Sequence, residues 1–403
     1  MHIASIGIDL GKTTFHLVAL GERNKILLRR KFSRSQLLAY TANLPSSLIG
    51  LEAGSGSHFL GTVLREQGHQ VRLIPAQYVK PYRKTNKNDF IDAEAIAEAV
   101  TKQNMRFVQI KSQEQLDIQA MHRVRDRLVQ RRTALINEIR GFLLDRGLTF
   151  AARPIHLRKN LPSVIEDAEQ KLSPRLRWLL DRMWQEWNQM EVDIKAITEA
   201  IERIGNENAL CRRLRQIPGF GPLVSTATVA AIGNGAAFRR GRDFAAWLGV
   251  VPRQYSTGGK QKLFGMSKRG NTYLRRMLIH GARAVLLRVK YNTGGFGQWV
   301  HRLAQRAPHN KVVVAIANKL ARALPGPCCR AATTTNISGC SRWQLDGRGK
   351  DAALEQHKTL STFPSPRRLS LKMIPPKVCG GEKETKEQSN GVSENLVAKM
   401  RPE

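Results

Sequence analysis

The pattern of apolar and polar positions changes its period along the chain. Between residues 1 and 112, short apolar runs of strand length alternate with amphipathic stretches. Runs at 3–9, 15–20 and 25–32 predict three consecutive strands joined by short turns. A helix over 35–43, a strand closing at Glu52, a helix over 58–67 and a strand over 70–74 follow. A helix carrying Asp89 and Asp92 and a short strand over 106–110 complete the region. Hairpin strands followed by alternating strand and helix predict an α/β class. This is the order of a ribonuclease-H-like domain, although the pattern alone does not fix that topology.

Helical periodicity takes over from 113 to 148, and a second long helix is expected over 174–204. Its apolar residues are Leu176, Leu180, Met183, Trp187, Met190, Ile194, Ile197, Ile201 and Ile204, with gaps that alternate between four and three. A period of about 3.5 residues held this long predicts a coiled-coil arm that pairs with a second chain. A helix packed on its own domain is the plainer alternative. Beyond it, Ile217-Pro218-Gly219-Phe220-Gly221-Pro222 reads as a tight turn between helices over 209–216 and 223–232, resembling a helix-hairpin-helix. The backbone N–H groups of Gly219 and Gly221 become candidates for contact with a DNA phosphate. A basic, glycine-punctuated segment follows, then a helix from Asn271 to about Val289. After Leu324, Pro, Gly, Ser, Thr and charge dominate without periodicity, and disorder is expected. The chain therefore divides at 1–150, 151–206, 207–324 and 325–403.

Charge then narrows the partner. The 403 residues carry 66 Lys and Arg against 32 Asp and Glu, a formal net charge of +34. Such an excess predicts a polyanion, because neutralising phosphates releases counterions. No apolar stretch reaches the roughly 18–20 residues of a spanning helix. The N-terminus leads into a strand instead of a signal peptide, so nucleic acid in the cytoplasm, at the nucleoid, is expected and a membrane is not. Five cysteines lack CxxC spacing, which supports neither a zinc site nor a disulfide framework.

Against that positive background four acids stand out. Asp9 and Glu52 each end an apolar run, and Asp89 and Asp92 lie three apart on one helix face. Hard cations such as Mg²⁺ or Mn²⁺ take oxygen ligands of this kind, and two of them can hold both oxygens of a phosphodiester displacement. The blander alternatives are a helix cap at Asp89 and a first-turn acid at Asp92. Gly7-Ile8-Asp9-Leu10-Gly11-Lys12-Thr13-Thr14 is also similar to the first phosphate loop of actin-like ATPases, but the Asp-x-Gly strand turn that such an ATPase repeats in its second half is absent there. A second candidate is Ser256 in a glycine-rich loop, flanked by Arg253, Lys260, Lys268 and Arg269, with Arg275 on the next helix. Ser256 could attack a phosphodiester while the cations hold it, or the loop could contact phosphate without a covalent role.

The acids Asp9, Glu52, Asp89 and Asp92, then Ile217-Pro218-Gly219, then Ser256-Thr257-Gly258-Gly259-Lys260 and Ser267-Lys268-Arg269-Gly270-Asn271, occur in one order. Over about residues 1–324 this resembles the DEDD-type transposases of bacterial insertion sequences, relatives of the Piv and MooV DNA invertases. The resemblance implies a RuvC-like N-terminal domain, a coiled-coil arm and a mainly α C-terminal transposase domain. It implies that the four carboxylates bind Mg²⁺ (or Mn²⁺) and that Ser256 forms a phosphoserine link to the cleaved strand. Thr257 would take that role on a one-residue shift of alignment. It further implies excision and site-specific insertion of an element, often guided by a structured RNA, by a homodimer or dimer of dimers. The chain departs from the family at Leu324-Pro325-Gly326-Pro327-Cys328-Cys329, where a helix normally continues. A one-base slip turns codons for Ala-Trp-Ala-Val-Leu into Pro-Gly-Pro-Cys, so a frameshift near codon 323 is expected; it would remove the final helix turns and threaten activity. A RuvC-like structure-specific endonuclease and a non-catalytic nucleic-acid-binding remnant are the other readings.

Overall fold

The computed structural model describes residues 2–83, 88–169, 172–289 and 294–324, and the expected disordered tail lies outside them. Strands β1 (Ser5–Leu10), β2 (Thr14–Leu20) and β3 (Ile26–Ser33) form an antiparallel meander. Helix α1 (Arg34–Ala42) leads back to β4 (Leu48–Glu52), which pairs parallel to β1. Helix α2 (Ser57–Glu66) then leads to β5 (Gln70–Ile74), parallel to β4. The sheet order is β3-β2-β1-β4-β5. The central strands read as nearly continuous apolar runs because both faces are covered. Ile6, Ile8, Ile49 and Leu51 are fully buried with Leu37 of α1 and Leu60 and Leu64 of α2 on one face.

After the short helix α3 (Ala76–Val79), helix α4 (Asp89–Ala99) covers the other face. It lies almost on the backbone. A Cβ added at Gly7 would meet the Ala93 carbonyl at 2.0 Å and the Ala97 nitrogen at 2.4 Å, and one at Gly50 would meet Val100 at 2.9 Å. Gly7 and Gly50 are register partners on β1 and β4, so together they form the floor under α4. The expected strand over 106–110 reduces to a single bridge between Leu73 and Val108. The other strands and helices of the region form close to the expected limits.

Helix α5 (Gln113–Leu144) begins at a capping box formed by Ser112 and Gln115. Helix α6 (Pro154–Glu166) and helix α7 (Pro174–Glu207) follow. Arg125 donates to the Thr198 hydroxyl, while Arg131 and Arg132 pair with Glu186 and Glu191. The partners run down α7 as they run up α5, so the two helices are antiparallel. The heptad residues Leu176, Leu180, Met183, Trp187, Met190 and Ile194 are buried with Leu128, Leu135, Ile136, Ile139 and Leu143 of α5. This corrects the expectation of a partner chain at that seam. A heptad reports a facing helix, and here α5 of the same chain supplies it.

The remaining residues form helices α8 (Ala209–Leu214), α9 (Pro222–Ile232) and α10 (Gly241–Leu248), the hairpin β6 (Pro252–Thr257) and β7 (Lys260–Met266), and helices α11 (Thr272–Arg288), α12 (Gly295–Arg306) and α13 (His309–Ala323). Their core includes Phe220, Phe244, Leu248, Leu278, Ile316 and Leu320. The N-terminal half of α5 joins this core. Gln115 donates to the Val229 carbonyl, and the buried His122 sits between the hydroxyls of Tyr273 (2.8 Å) and Thr226 (3.0 Å). Among the described residues, no helix is long and apolar enough to cross a membrane.

Candidate active site

Side chains two apart on a strand share a face, so Asp9 follows Gly7 and Glu52 follows Gly50 onto the side covered by α4. The same two glycines that admit α4 also bring its first turn to the strand ends. Asn88 caps that turn by accepting from the Phe90 N–H, leaving the Asp89 and Asp92 carboxylates free of the capping role. The structure thereby brings the four acids together. Burial raises the Asp9 carboxyl above its ordinary pKa, and Asp92, Asp89 and Glu52 raise it further, with His16 opposing. His16 is the cross-strand partner of Asp9, and its Nδ1 lies 3.5 Å from Asp89.

A cation already reaches into this cluster. Arg83 Nε stands 2.6 Å from Asp92 Oδ1, and Arg83 Nη2 stands 3.7 Å from Glu52 Oε2. Asp92 is almost fully buried. Despite the short separation, neither Arg83 Nε nor Asp92 Oδ1 completes a hydrogen bond, so the contact is Coulombic and poorly aimed. Among the described residues no group of three or more His, Cys, Asp or Glu side chains is set to hold a metal ion in this arrangement. In chemistry the donor set fits a hard divalent cation: it is all carboxylate, mutually repelling, and includes an unsatisfied buried oxygen. Sequence reasoning missed Arg83, which stands in an ordinary Pro-Tyr-Arg-Lys stretch. It also missed the Gly-x-acid pattern at Gly7/Asp9 and Gly50/Glu52, which was legible.

Ser256 lies on β6, not in a glycine-rich loop; Gly258 and Gly259 form the tight turn between β6 and β7, with φ of +52° and +73°. Both strands of this hairpin are exposed nearly throughout. The Ser256 hydroxyl accepts from Gln254 Nε2 at 2.7 Å. Among the described residues, no hydrogen bond or ion pair joins Ser256 to the carboxylates. Arg253 lies over the Phe264 ring at 5.0 Å, while Lys260, Lys268 and Arg269 are exposed near the turn and at the hairpin's foot.

One expected nucleic-acid contact, Arg275, is corrected, and Gly219 has a packing role of its own. Arg275 is buried and donates to the carbonyls of Leu248 (3.0 Å) and Arg269 (2.6 Å) and to the Thr272 hydroxyl (3.2 Å), so its donors tie α10 to α11. Gly219 has φ of +83°, and a Cβ there would meet the Gly281 carbonyl of α11 at 2.8 Å. Its freedom serves a close helix contact. Gly221 remains exposed at the start of α9.

Comparison with known proteins bears on both halves. A transposase family model of the DEDD, IS110 type matches residues 6–146, and the model of the transposase IS116/IS110/IS902 family matches residues 211–298. A probable family 20 transposase of Pseudomonas aeruginosa is 43% identical over 325 residues, which is 80% of this chain and 96% of that protein. The transposase for insertion sequence element IS1328 of Yersinia enterocolitica is 40% identical over 80% of this chain and 95% of its own. The transposase for IS1111A of Coxiella burnetii is 40% identical over 79% of this chain and 87% of its own. Relatives this similar, matched across nearly their full length, show that the chain belongs to the IS116/IS110/IS902 family of insertion-sequence transposases.

Proposed function

We propose that this transposase cuts and rejoins DNA strands at a composite site made of the Asp9, Glu52, Asp89 and Asp92 carboxylates and Ser256. The observation that carries the reading is the gathering of the four acids on the α4 side of the sheet, where they raise the Asp9 carboxyl. The sheet order, three antiparallel strands continued by two parallel ones, supports a ribonuclease-H-like (RuvC-like) domain within residues 1–150. Residues 151–206 would then form the arm, and 207–324 the domain that presents the serine.

The carboxylates would hold Mg²⁺ or Mn²⁺, which when bound polarises the phosphate and acidifies an oxygen nucleophile. Ser256 Oγ attacks phosphorus and loses its proton to solvent, while the bond to one sugar oxygen breaks and that oxygen takes up a proton. Attack of a sugar hydroxyl on the phosphoserine reverses these changes and rejoins the strand. Arg253, Lys260, Lys268 and Arg269 would offset phosphate charge around the hairpin. The formal charge of +34 supports a large polyanionic load, namely element ends, target DNA and a structured guide RNA, handled by a homodimer or dimer of dimers.

A nicked element end incubated with protein and Mg²⁺ tests this on a denaturing gel. The expected result is a protein–DNA adduct that Ser256→Ala abolishes. The separation of Ser256 from the carboxylates favours one second reading, an endonuclease that uses activated water. Cleavage that survives Ser256→Ala with no adduct would establish that reading instead. The proposed frameshift after Leu324 is decided by the nucleotide sequence. Its support is that 80% of this chain already spans 96% of the Pseudomonas relative.

A further inference from the structure

From the placement of Arg83 we infer that its guanidinium is a built-in competitor for the divalent cation: its single charge is shared between Asp92 and Glu52, and an incoming ion must displace it. The inference rests on the proposed metal site and adds a residue that the acidic pattern does not contain. Two separate elements are bridged, since Glu52 ends β4 and Asp92 lies in the first turn of α4. The ion pair to Asp92 is 2.6 Å long and that to Glu52 is 3.7 Å. A nearly buried carboxylate without a counter-charge is costly, and Arg83 removes that cost at Asp92.

The same geometry makes the pairing exchangeable. Arginine suits carboxylates when its fork donates two parallel hydrogen bonds. Here the fork is split between two acids, and its closest contact completes no hydrogen bond. Side-chain exposure of 28% at both Arg83 and Glu52 leaves a route by which the guanidinium can swing to solvent. A divalent ion brings twice the charge and shorter bonds to the same oxygens. Arg83 therefore positions the two carboxylates and weakens the apparent affinity for the cation in a single act. Once displaced, it is an unpaired guanidinium beside the site, suited to a phosphate oxygen.

The test uses the full chain and titrates Mn²⁺ by calorimetry for wild type, Arg83→Gln, Arg83→Lys and Asp92→Asn. Arg83→Gln should bind Mn²⁺ on the order of tenfold more tightly than wild type, since a competing buried charge is gone. Arg83→Lys should fall between them. Thermal melting without added metal should show Arg83→Gln less stable than wild type, with a larger rise on adding Mn²⁺. Equal affinities for wild type and Arg83→Gln, or a weaker Arg83→Gln, would overturn the competition while leaving the metal site standing. Absence of Mn²⁺ binding in wild type and in Arg83→Gln alike would instead remove the metal site. A site that Asp92→Asn leaves unchanged would be elsewhere, and both ideas would fall.

Discussion

The carboxylate cluster and the serine hairpin are built in opposite ways. The first is fixed by the core: Gly7 and Gly50 seat α4 on the sheet, and buried side chains on both faces hold the strand ends that carry Asp9 and Glu52. The hairpin is held only at its foot. There Gly249 and Gly270 fit against backbone: a Cβ at Gly249 would lie 2.2 Å from the Arg269 carbonyl, and one at Gly270 would lie 1.9 Å from the Trp247 carbonyl. Beyond that point, strands β6 and β7 pair with each other and face solvent. The acids are held together at the cost of mutual repulsion, whereas the serine stands on an exposed strand away from any such repulsion.

The largest expected effect falls on the preorganised side. Asp92→Asn should lower strand cleavage by a factor on the order of 10³ with binding of the DNA retained, measured by gel assay beside a mobility shift. Gly7→Ala should cost about 3 kcal/mol or more of folding stability, because backbone atoms of Ala93 and Ala97 cannot move aside as a flexible side chain could. A urea melt reads it. An unchanged midpoint would mean that α4 can lift off the sheet.

A smaller effect belongs to the joint between the regions, His122. Burial, and then Arg125, push its pKa down from 6.5 to about 4. The folded chain keeps this histidine neutral, whereas the unfolded chain protonates it below pH 6.5. Stability is therefore lost as pH falls from about 6.5 to about 4, by up to roughly 3 kcal/mol, and no further below that. His122→Gln should flatten this part of the difference between unfolding midpoints measured at pH 7 and pH 4.5.

Asp9 has the reverse sense. Its carboxyl titrates above the ordinary 3.8, so the repulsion it adds is present above its folded pKa and gone below the ordinary value. Asp9→Asn should raise the melting temperature at pH 7, with the gain vanishing in acid, at the expense of activity. Smallest of all, Gly259→Ala imposes left-handed strain of about 1 kcal/mol at an open turn with nothing within 4 Å. Amide exchange in the hairpin should speed up while the global melt barely moves.

Strands β1 to β5 were legible because burial leaves apolar runs, and Asp9 and Glu52 are conspicuous at the ends of two of them. Asp89 and Asp92 stood out by their i, i+3 spacing at a helix start, whereas the exposed strands β6 and β7 carry no such run and read as a loop. The pairing partner of the heptad was not legible. Period reports that a helix faces another helix, and nothing in Leu176 to Ile194 distinguishes α5 from a second chain. Arg275 misled for a related reason: an arginine that ties carbonyls together looks, in sequence, like one that meets phosphate. Arg83 was invisible because its role comes from where β4 and α4 converge, and no local spacing encodes that.

The closed antiparallel seam carries a mechanical consequence. Helix α5 is one rod of 32 residues, about 48 Å at 1.5 Å per residue. Its root is pinned through Gln115 and His122, and its far half is sheathed by α7. A tilt of about 10° at the root sweeps the far end through roughly 8 Å over that length. The rod can also be shortened or lengthened by matched seven-residue steps in both helices without disturbing the apolar register. It thus acts as a ruler whose length can be reset while both of its ends keep their packing.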